Sequence, residues 1–285
     1  MAIINKHGKQ IEFSCEVFPP KKDLNISGIY DTLNSIKELE PDFISVTYGA
    51  GGSNSKKTSE IASYIQNSCN INALAHLTAV GVTPEKLQSL LNEYKENGIK
   101  RILALRGDKP RDMTDADFAN RHYKYASDIV KEIFEFGGFH IYGACYPEKH
   151  PEASSLDEDI KHIKEKVDLG VSGLITQMFF DNEKLYSYLD KLDKAGIHVA
   201  IHAGIMPITA ANQLGTSVSL SGSSIPTALS NLISEHADDP AGMKEAGVEY
   251  AIRQIEDLIA HGIDGIHLYS MNKADITKQI VEAVK

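Results

Sequence analysis

Short apolar runs alternate with longer amphipathic stretches along the whole chain. Each run has the length of a buried strand, and each stretch repeats its apolar residues at the three- and four-residue intervals typical of helices. In the first run, residues 11–18, two-residue alternation places four apolar side chains on one face of a strand: Ile11, Phe13, Cys15 and Val17. Pro19 and Pro20 then end the strand, because proline lacks an amide donor and has a fixed φ.

The alternation predicts eight strand–helix units. The expected strands lie at 11–18, in the first part of 42–53, at 70–78 and 100–108, from 138 onward, and at 172–181, 197–208 and 262–272. The expected helices lie at 29–39 and 57–67, after the capping pair Thr83-Pro84, at 122–136 and 156–167, before 195–196, and at 243–260 and 273–284. No predicted strand pair is joined by a tight hairpin turn, so we expect parallel strands with helical crossovers. This number of units predicts an α/β chain that forms a single (β/α)8 TIM barrel, one domain over residues 1–285.

Composition and charge narrow the classes of protein that fit. The chain has 285 residues, 42% of them hydrophobic, which suits one large barrel or two smaller domains with a substantial core. A net charge of −10 argues against nucleic-acid binding, and only Arg106–Arg111 is locally basic, which indicates a small anionic ligand. With no apolar run of membrane-spanning length and no N-terminal signal segment, we expect no membrane role. Three widely spaced cysteines indicate a reduced, cytoplasmic protein without structural zinc.

Polar residues gather where the predicted strands end. In a (β/α)8 barrel the loops after the strands build the active site, so residues far apart in the sequence meet there. The residues in these positions are Glu16, Thr47, Tyr48, His76, Thr78, Arg106, Asp108, Tyr146, His150, Gln177, Asp181, Asn272 and Lys273. Their convergence predicts one site at that end of the barrel.

Glu16 stands in the last turn of a largely apolar strand. A carboxylate in that position either forms an ordinary ion pair at the strand end or has a raised pKa. A raised pKa is what a general acid needs at neutral pH. The residues of this strand leave both interpretations open.

Other residues have a structural interpretation beside the functional one. His76 lies in an apolar run, where a histidine is more often a hydrogen-bonded core residue than a ligand. A metal site assembled from His76, His150 and His202 lacks the usual ligand spacing, so we expect no metal. Three further features are open between a functional contact and a plain structural one: the glycines Gly49, Gly51 and Gly52, the phosphate-binding candidate Ser221–Ser224, and Cys145. Rossmann and P-loop motifs are absent from the sequence.

Nearly the whole chain, from about Phe13 to the last helix, resembles methylenetetrahydrofolate reductase of the bacterial, FAD-dependent type. The segments that carry the resemblance include FSCEVFPPK, DFISVTYGAGGS, ILALRGD, YPEKHPEA, GLITQMFFD and HLYSMNKAD. The resemblance implies a flavoprotein oxidoreductase: a barrel that binds FAD non-covalently and transfers hydride from the reduced flavin to 5,10-methylenetetrahydrofolate, giving 5-methyltetrahydrofolate. It also implies NADH or NADPH as the electron donor, and a place in one-carbon metabolism and methionine biosynthesis.

The resemblance implies roles for individual residues as well. Glu16 matches the catalytic acid that assists opening of the folate's five-membered ring, and Asp108 matches the aspartate beside the flavin and the pterin. Gln177 matches the pterin-binding glutamine, and Lys273 stands where bacterial members have a substrate-binding arginine. The positions that match FAD-binding residues are Thr47, His76, Leu105, Arg106, Gly107, Asp108, Tyr125, Ala126, Tyr146, His150, Asp159, His162 and Lys166.

Some positions depart from the family pattern. His162 replaces an asparagine, Ala203 replaces a proline, and Ala210-Ala211 stands where the family often has an aromatic residue. The departures leave the electron donor open between NADH, NADPH and a partner subunit that carries an iron–sulfur centre. We also expect a homo-oligomer. The alternative function is a flavin-free barrel lyase or aldolase acting on a small anionic substrate.

Overall fold

The computed structural model describes residues 3–20, 26–49, 55–110 and 113–285, apart from the side chains at 55, 216, 217, 219 and 220. The described strands are β1 (Ile3–Ile4), β2 (Gln10–Val17), β3 (Phe43–Val46), β4 (Asn72–Thr78), β5 (Arg101–Leu105), β6 (His140–Cys145), β7 (Val171–Thr176), β8 (Ala200–Ile205) and β9 (Gly265–Tyr269). The described helices are α1 (Ser27–Lys37), α2 (Ser55–Asn67), α3 (Pro84–Glu96), α4 (Asp115–Ala119), α5 (Ala126–Phe136), α6 (Leu156–Asp168), α7 (Asn182–Lys194), α8 (Ala211–Ser221), α9 (Thr227–Glu235), α10 (Pro240–His261) and α11 (Ala274–Val284).

Eight of the strands, β2 to β9, form a closed parallel barrel. The sheet order follows the chain from β1 to β9, and β2 also pairs with β9. Parallel registers join β2 to β3, β3 to β4, β4 to β5, β5 to β6 and β8 to β9. With helices between the strands, this is a (β/α)8 TIM barrel. The predicted fold class is confirmed.

Local sequence explains where several elements begin and end. Thr83 caps α3 by accepting a hydrogen bond from the amide of Lys86 at 3.3 Å, and Pro84 takes the first helical position, as predicted. β2 ends at Val17, just before the two prolines. The C-terminal end of α10 is capped by Gly262, whose φ of +82° is in the left-handed region that favours glycine.

Several strands are shorter than the apolar runs that predict them. β7 ends at Thr176, although the apolar run continues through Met178, Phe179 and Phe180. These three side chains are buried without belonging to the strand. The apolar run is therefore longer than the strand, because the residues after the strand are buried as well.

The expectation that no strand pair is joined by a hairpin is wrong at the N-terminus. β1 pairs antiparallel with β2, and Ile3 lies opposite Ile11. The side-chain oxygen of Asn5 accepts hydrogen bonds from the amides of His7 and Lys9 inside the connecting turn, at 2.9 and 3.0 Å. A strand of two residues is too short to show an alternating pattern, which is why the sequence did not predict it.

The segment between β8 and α10, which the sequence presents as irregular, contains α8 and α9. The sequence of α8, ANQLGTSVSLS, is rich in glycine, serine and threonine, which are weak helix formers. The low helix propensity of this sequence is why α8 was not predicted, and packing against the rest of the protein stabilises the helix. The short helix α4, in the loop after β5, was not predicted either.

The chain divides into two compact units. The first unit comprises Met1–Phe13, Cys145–Lys164 and Ile175–Lys285, and the second comprises Ser14–Ala144 and Glu165–Leu174. The first unit has a cluster of buried side chains formed by Met178, Phe180, Met206, Ile208, Leu214, Leu229 and Met243. The largest fully buried side chains of the second unit include Leu33, Ile36, Phe43, Ile61, Leu74, Leu77 and Tyr94.

Within the described ranges, no helix is both long enough and apolar enough to cross a membrane. α10 has 22 residues, but its sequence includes Lys244, Glu245, Glu249 and Arg253.

Candidate active site

Glu16 lies at the carboxyl end of β2, next to a histidine from β4. Glu16 pairs with Ser45 of β3, one residue before the end of the strand. Its Oε2 atom is 3.5 Å from Nε2 of His76, a side chain that exposes 6% of its surface, while Glu16 exposes 20%. The two side chains belong to the second unit and are brought together by adjacent parallel strands, because β3 pairs with both β2 and β4.

Burial raises the pKa of Glu16 above the usual value for a glutamate, and the charge of His76 acts in the opposite direction. The larger effect is desolvation, since the carboxylate has lost most of its contact with water. This resolves the ambiguity of the sequence in favour of a perturbed carboxyl group that has a histidine beside it. A carboxyl group with a raised pKa is able to donate a proton near neutral pH.

The loop after β5 requires a glycine. Gly107 has a φ of +81°, and a Cβ atom at this position would lie 2.9 Å from the Cβ of Thr78. Strand pairing continues into this loop, where Val80 donates its amide to the carbonyl of Arg106 at 2.9 Å. Nε of Arg106 donates to the carbonyl of Gly107 at 3.3 Å, and Asp108 is exposed beyond it. The close approach of the two loops therefore sets the direction in which Arg106 and Asp108 leave the strand.

Glu16 and Asp108 lie at the same edge of the sheet. Glu16 is the last residue but one of β2, and Asp108 follows the carboxyl end of β5. Both strands belong to the second unit, where β2, β3, β4 and β5 run parallel. The same edge carries Thr47, whose amide donates to the carbonyl of Val17 at 3.0 Å. Leu105 is the last residue of β5 and is half-buried.

Other candidates in the second unit present a cation and an aromatic ring. Nζ of Lys166, on α6, donates to the carbonyl of Ala144 at 2.9 Å, near the carboxyl end of β6. Tyr125 precedes the first helical residue of α5, Ala126, and exposes 63% of its surface. The carboxylate of Asp128 accepts hydrogen bonds from the amide of Tyr125 at 2.9 Å and from that of the preceding residue at 2.7 Å, which holds the start of the helix.

In the first unit, the loop after β6 brings together three of the predicted cofactor-binding residues. The rings of Tyr146 and His150 meet edge to face, with their centroids 4.7 Å apart. The buried carboxylate of Asp159 accepts a hydrogen bond from the amide of His150 at 2.8 Å. His162 lies three residues further along α6 and is exposed.

Gln177 and Lys273, the predicted substrate-binding residues, are also in the first unit. Gln177 follows β7, donates its amide to the carbonyl of Cys145 at 2.7 Å, and accepts a hydrogen bond from the amide of Met178 through Oε1 at 2.9 Å. The side-chain amide nitrogen of Gln177 carries two N–H donors. Nζ of Lys273 donates to Oγ1 of Thr209 at 3.1 Å.

Gln213 is a candidate that none of the sequence motifs indicated. Its Oε1 accepts from the amide of Thr209 and its Nε2 donates to the carbonyl of Pro207, both at 3.1 Å. Together with Lys273 these residues line one small cleft. The signal in the sequence is a glutamine four residues after the polar end of GIMPIT, within a segment without clear periodicity.

The stretch Ser221–Ser224 forms a loop that is occupied by its own contacts. Ser223 donates its hydroxyl to the carbonyl of Met178 at 2.6 Å and its amide to Oγ of Ser221 at 3.1 Å. The amide of Ser224 donates to a carboxylate oxygen of Glu148 at 3.0 Å. A carboxylate in this place disfavours phosphate, so the structure supports the structural interpretation.

The remaining candidates are resolved only in part. Cys145 is fully buried at the end of β6. Gly49 is described, whereas Gly51, Gly52 and Arg111 lie outside the described residues. Among the residues that the structure describes, no group of three or more His, Cys, Asp and Glu side chains is arranged to hold a metal ion.

The sequence pattern of the family described as methylenetetrahydrofolate reductase matches residues 2–285. The chain belongs to the methylenetetrahydrofolate reductase family. The resemblance read from the motifs is thereby confirmed. The chain is 36% identical over 277 residues to methylenetetrahydrofolate reductase 1 of Schizosaccharomyces pombe, an alignment that covers 96% of this chain and 46% of the relative. It is 34% identical over 271 residues to 5,10-methylenetetrahydrofolate reductase of Escherichia coli, covering 95% of this chain and 90% of the relative.

Solved structures support the fold of this family member. A Clostridium thermocellum protein described as binding two copies of 5-methyl-5,6,7,8-tetrahydrofolic acid matches with a TM-score of 0.62 and 15% identity, over 97% of this chain and 94% of that one. A 2,3-dimethylmalate lyase matches with a TM-score of 0.52 and 10% identity, over 95% and 79%. At these identities the likeness concerns the fold alone, and a lyase shares it. Family membership, not the barrel, is what distinguishes a reductase from the lyase alternative.

Proposed function

We propose that this chain is an FAD-dependent methylenetetrahydrofolate reductase that converts 5,10-methylenetetrahydrofolate to 5-methyltetrahydrofolate. Membership of the family supports methylenetetrahydrofolate as the substrate, and the relatives reported above are named as reductases of that compound. One observation carries the mechanism: burial raises the pKa of Glu16, and its carboxyl group lies 3.5 Å from His76. It provides a proton where the reaction needs an acid.

Glu16 acts as the general acid. It donates a proton to the ring nitrogen of the folate that leaves as the five-membered ring opens, and an electrophilic iminium forms on the substrate. His76 lies beside the carboxyl group and stabilises the carboxylate that remains after the proton has moved. The burial that raises the pKa of Glu16 also makes its proton available near neutral pH.

Three other residues act on the substrate in this proposal. The exposed carboxylate of Asp108 stabilises the cationic iminium. Gln177 binds the edge of the pterin by donating from its side-chain amide nitrogen, while its Oε1 accepts from the amide of Met178. Lys273 contributes a positive charge next to Thr209 for an anionic part of the folate.

The donor set of the second unit fits an anionic dinucleotide. Arg106 and Lys166 supply half-buried cations near the ends of β5 and β6, and Tyr125 exposes an aromatic ring at the start of α5. We assign the binding of FAD to the following residues: Thr47, His76, Leu105, Arg106, Gly107, Asp108, Tyr125, Ala126 and Lys166 in the second unit, and Tyr146, His150, Asp159 and His162 in the first. When bound, FAD supplies the hydride that completes the methyl group.

The electron donor that reduces the cofactor is NADH or NADPH in this proposal. A relative from Arabidopsis thaliana, 31% identical over 274 residues, is named methylenetetrahydrofolate reductase (NADH) 1. An alternative donor is a partner subunit with an iron–sulfur centre, since Ala210-Ala211 replaces the aromatic residue expected there.

Absorption spectroscopy tests the proposal directly. The purified protein is expected to be yellow, to bleach under anaerobic conditions with NADH, NADPH or a low-potential donor, and to regain its colour when methylenetetrahydrofolate is added. Bleaching by NADH or NADPH would support a nicotinamide donor, and bleaching by the low-potential donor alone would favour the partner subunit. A colourless protein that takes up no added FAD would contradict the proposal and favour the flavin-free lyase or aldolase.

A further inference from the structure

Lys149 has an unusual conformation in the loop between β6 and α6. Its φ is +85°, in the left-handed region that side-chain-bearing residues rarely adopt. Its side chain is half-buried, and the ammonium group turns back onto the loop. Nζ donates to the carbonyls of His150 at 3.2 Å, Pro151 at 3.4 Å and Ala153 at 2.5 Å.

The same loop carries two residues that we assign to FAD binding. The amide of Lys149 donates to the carbonyl of Tyr146 at 3.1 Å, and the amide of Ala153 donates to the carbonyl of His150 at 3.0 Å. The amide of Glu152 donates to Nδ1 of the His150 ring at 3.1 Å. The orientation of the imidazole therefore depends on the path of the backbone from Lys149 to Ala153.

The loop gathers three carbonyl oxygens around the ammonium group of Lys149. Three carbonyl oxygens from residues 150, 151 and 153 point towards one position, and their partial negative charges repel one another. The ammonium group of Lys149 fills that position with up to three N–H donors, which is the number that the carbonyls require. The left-handed backbone at Lys149 is what allows its own side chain to reach them.

We propose that Lys149 is a positioning residue for the cofactor: a tethered cation that holds the loop in the shape in which Tyr146 and His150 bind FAD. The inference rests on the proposed function, because it concerns the affinity for FAD. Lys149 acts through the loop and not on the cofactor, since its N–H donors are engaged by backbone carbonyls. The role belongs to this chain's own loop geometry.

Chemical rescue tests the proposal. Lys149→Ala keeps the strained φ and removes the cation, and Lys149→Gly removes the cation while relieving the strain, so the second variant serves if the first folds poorly. The measurement is the dissociation constant of FAD for the apoprotein, from quenching of flavin fluorescence. We expect both variants to bind FAD about tenfold more weakly, because the loop is no longer preorganised. Added ammonium or methylammonium chloride is expected to restore most of the affinity.

Two controls make the result specific. Tetramethylammonium chloride at the same concentration carries the charge without N–H donors and is expected to restore nothing. Lys161→Ala removes an exposed lysine from α6 and is expected to bind FAD as the wild-type protein does. Unchanged affinity in both Lys149 variants, or equal rescue by tetramethylammonium, would overturn the assignment of Lys149.

Hydrogen exchange separates this proposal from the proposed function. In the ligand-free protein, the amides of Glu152 and Ala153 are expected to exchange at least about tenfold faster in Lys149→Ala than in the wild type, because their acceptors lie in the released loop. Wild-type protein that binds no FAD would contradict the proposed function alone. Unchanged exchange at these two amides would contradict the role of Lys149, whatever the cofactor.

Discussion

The carboxyl group of Glu16 shows how one side chain acquires its chemistry from its surroundings. The sequence places it at the end of an apolar strand, and that position is compatible with an ion pair or with a raised pKa. In the structure, burial raises the pKa of Glu16 more than the charge of the neighbouring His76 lowers it. The opposing charge comes from β4, a strand more than fifty residues away in the chain.

Replacing Glu16 by glutamine is expected to lower the rate of methylenetetrahydrofolate reduction by about 10² to 10⁴-fold, the usual contribution of a general acid. The amide has a similar shape but donates no acidic proton. Stopped-flow reoxidation of the reduced protein by methylenetetrahydrofolate measures this step. Bleaching of the oxidised protein by NAD(P)H serves as the control and is expected to persist, because it needs no acid at this position. A variant that reduces the folate at the wild-type rate would show that the assigned role is wrong.

Gly107 is expected to tolerate no side chain. Gly107→Ala adds a methyl group 2.9 Å from the Cβ of Thr78 at a φ of +81°, so we expect a loss of roughly 1–3 kcal/mol in the free energy of unfolding. Urea denaturation measures it. Gly28→Ala is the matched control, because a Cβ at Gly28, in α1, meets no atom within 4 Å; it should be neutral or stabilising by up to about 1 kcal/mol. Equal stabilities of the two variants would argue against the close approach of the loops.

The ends of helices and strands could be predicted from local sequence where a capping residue or a proline was present, and not elsewhere. The pair Thr83-Pro84 predicted the start of α3, and the prolines after Val17 predicted the end of β2. α8 has neither a side-chain cap nor a strongly apolar face, so its sequence gave no comparable signal. β1 is too short to have a pattern at all. These elements exist because the rest of the molecule packs against them, which a local reading does not capture.

Removing the cap of α3 tests whether the hydroxyl group of Thr83 stabilises the start of the helix. Thr83→Ala is expected to lower the free energy of unfolding by about 1 kcal/mol, because the amide of Lys86 loses its acceptor. Thr83→Ser keeps the hydroxyl group and is expected to retain most of the stability. Thermal or urea unfolding followed by circular dichroism gives both values. If the alanine and serine variants are equally stable, the cap contributes nothing.

Closure of the barrel places ionisable groups in its wall that no local pattern marks as buried. His267, in β9, is fully buried, and burial together with the neighbouring His202 lowers its pKa to about 3. His202 is itself buried, with Nε2 2.8 Å from Oε2 of Glu12. The whole molecule, not the strand, therefore determines that His267 is neutral in the folded state.

The low pKa of His267 makes the stability of the whole molecule depend on pH. Below its ordinary value of 6.5 the unfolded chain binds a proton that the folded chain does not accept until about pH 3. The stabilising contribution is thus complete above pH 6.5 and decreases as the pH falls, by at most about 1.4 kcal/mol per pH unit. Urea unfolding between pH 7.5 and 5 measures this slope.

The slope is expected to be smaller in His267→Gln, which cannot bind the proton in either state. The matched control is His140→Gln, which removes an exposed histidine from the start of β6 and should leave the slope closer to that of the wild type. If the His267 variant keeps the full pH dependence, the lost stability at low pH arises from other groups.

Periodicity of the apolar positions was sufficient for the eight strand–helix units and the barrel, and the motifs were sufficient for the family, because both are properties of neighbouring residues in the chain. The strand ends also predicted that Glu16 and Asp108 lie at the same end of the parallel strands, as the structure shows. That all the candidate residues form one site stays a prediction. The roles of the site residues and the single-domain organisation stay predictions. The contact of Glu16 with His76, the neutral His267, the carbonyls around Lys149 and the hairpin of β1 required the folded molecule. Each depends on distance and desolvation in three dimensions, and neither quantity is written in the order of the residues.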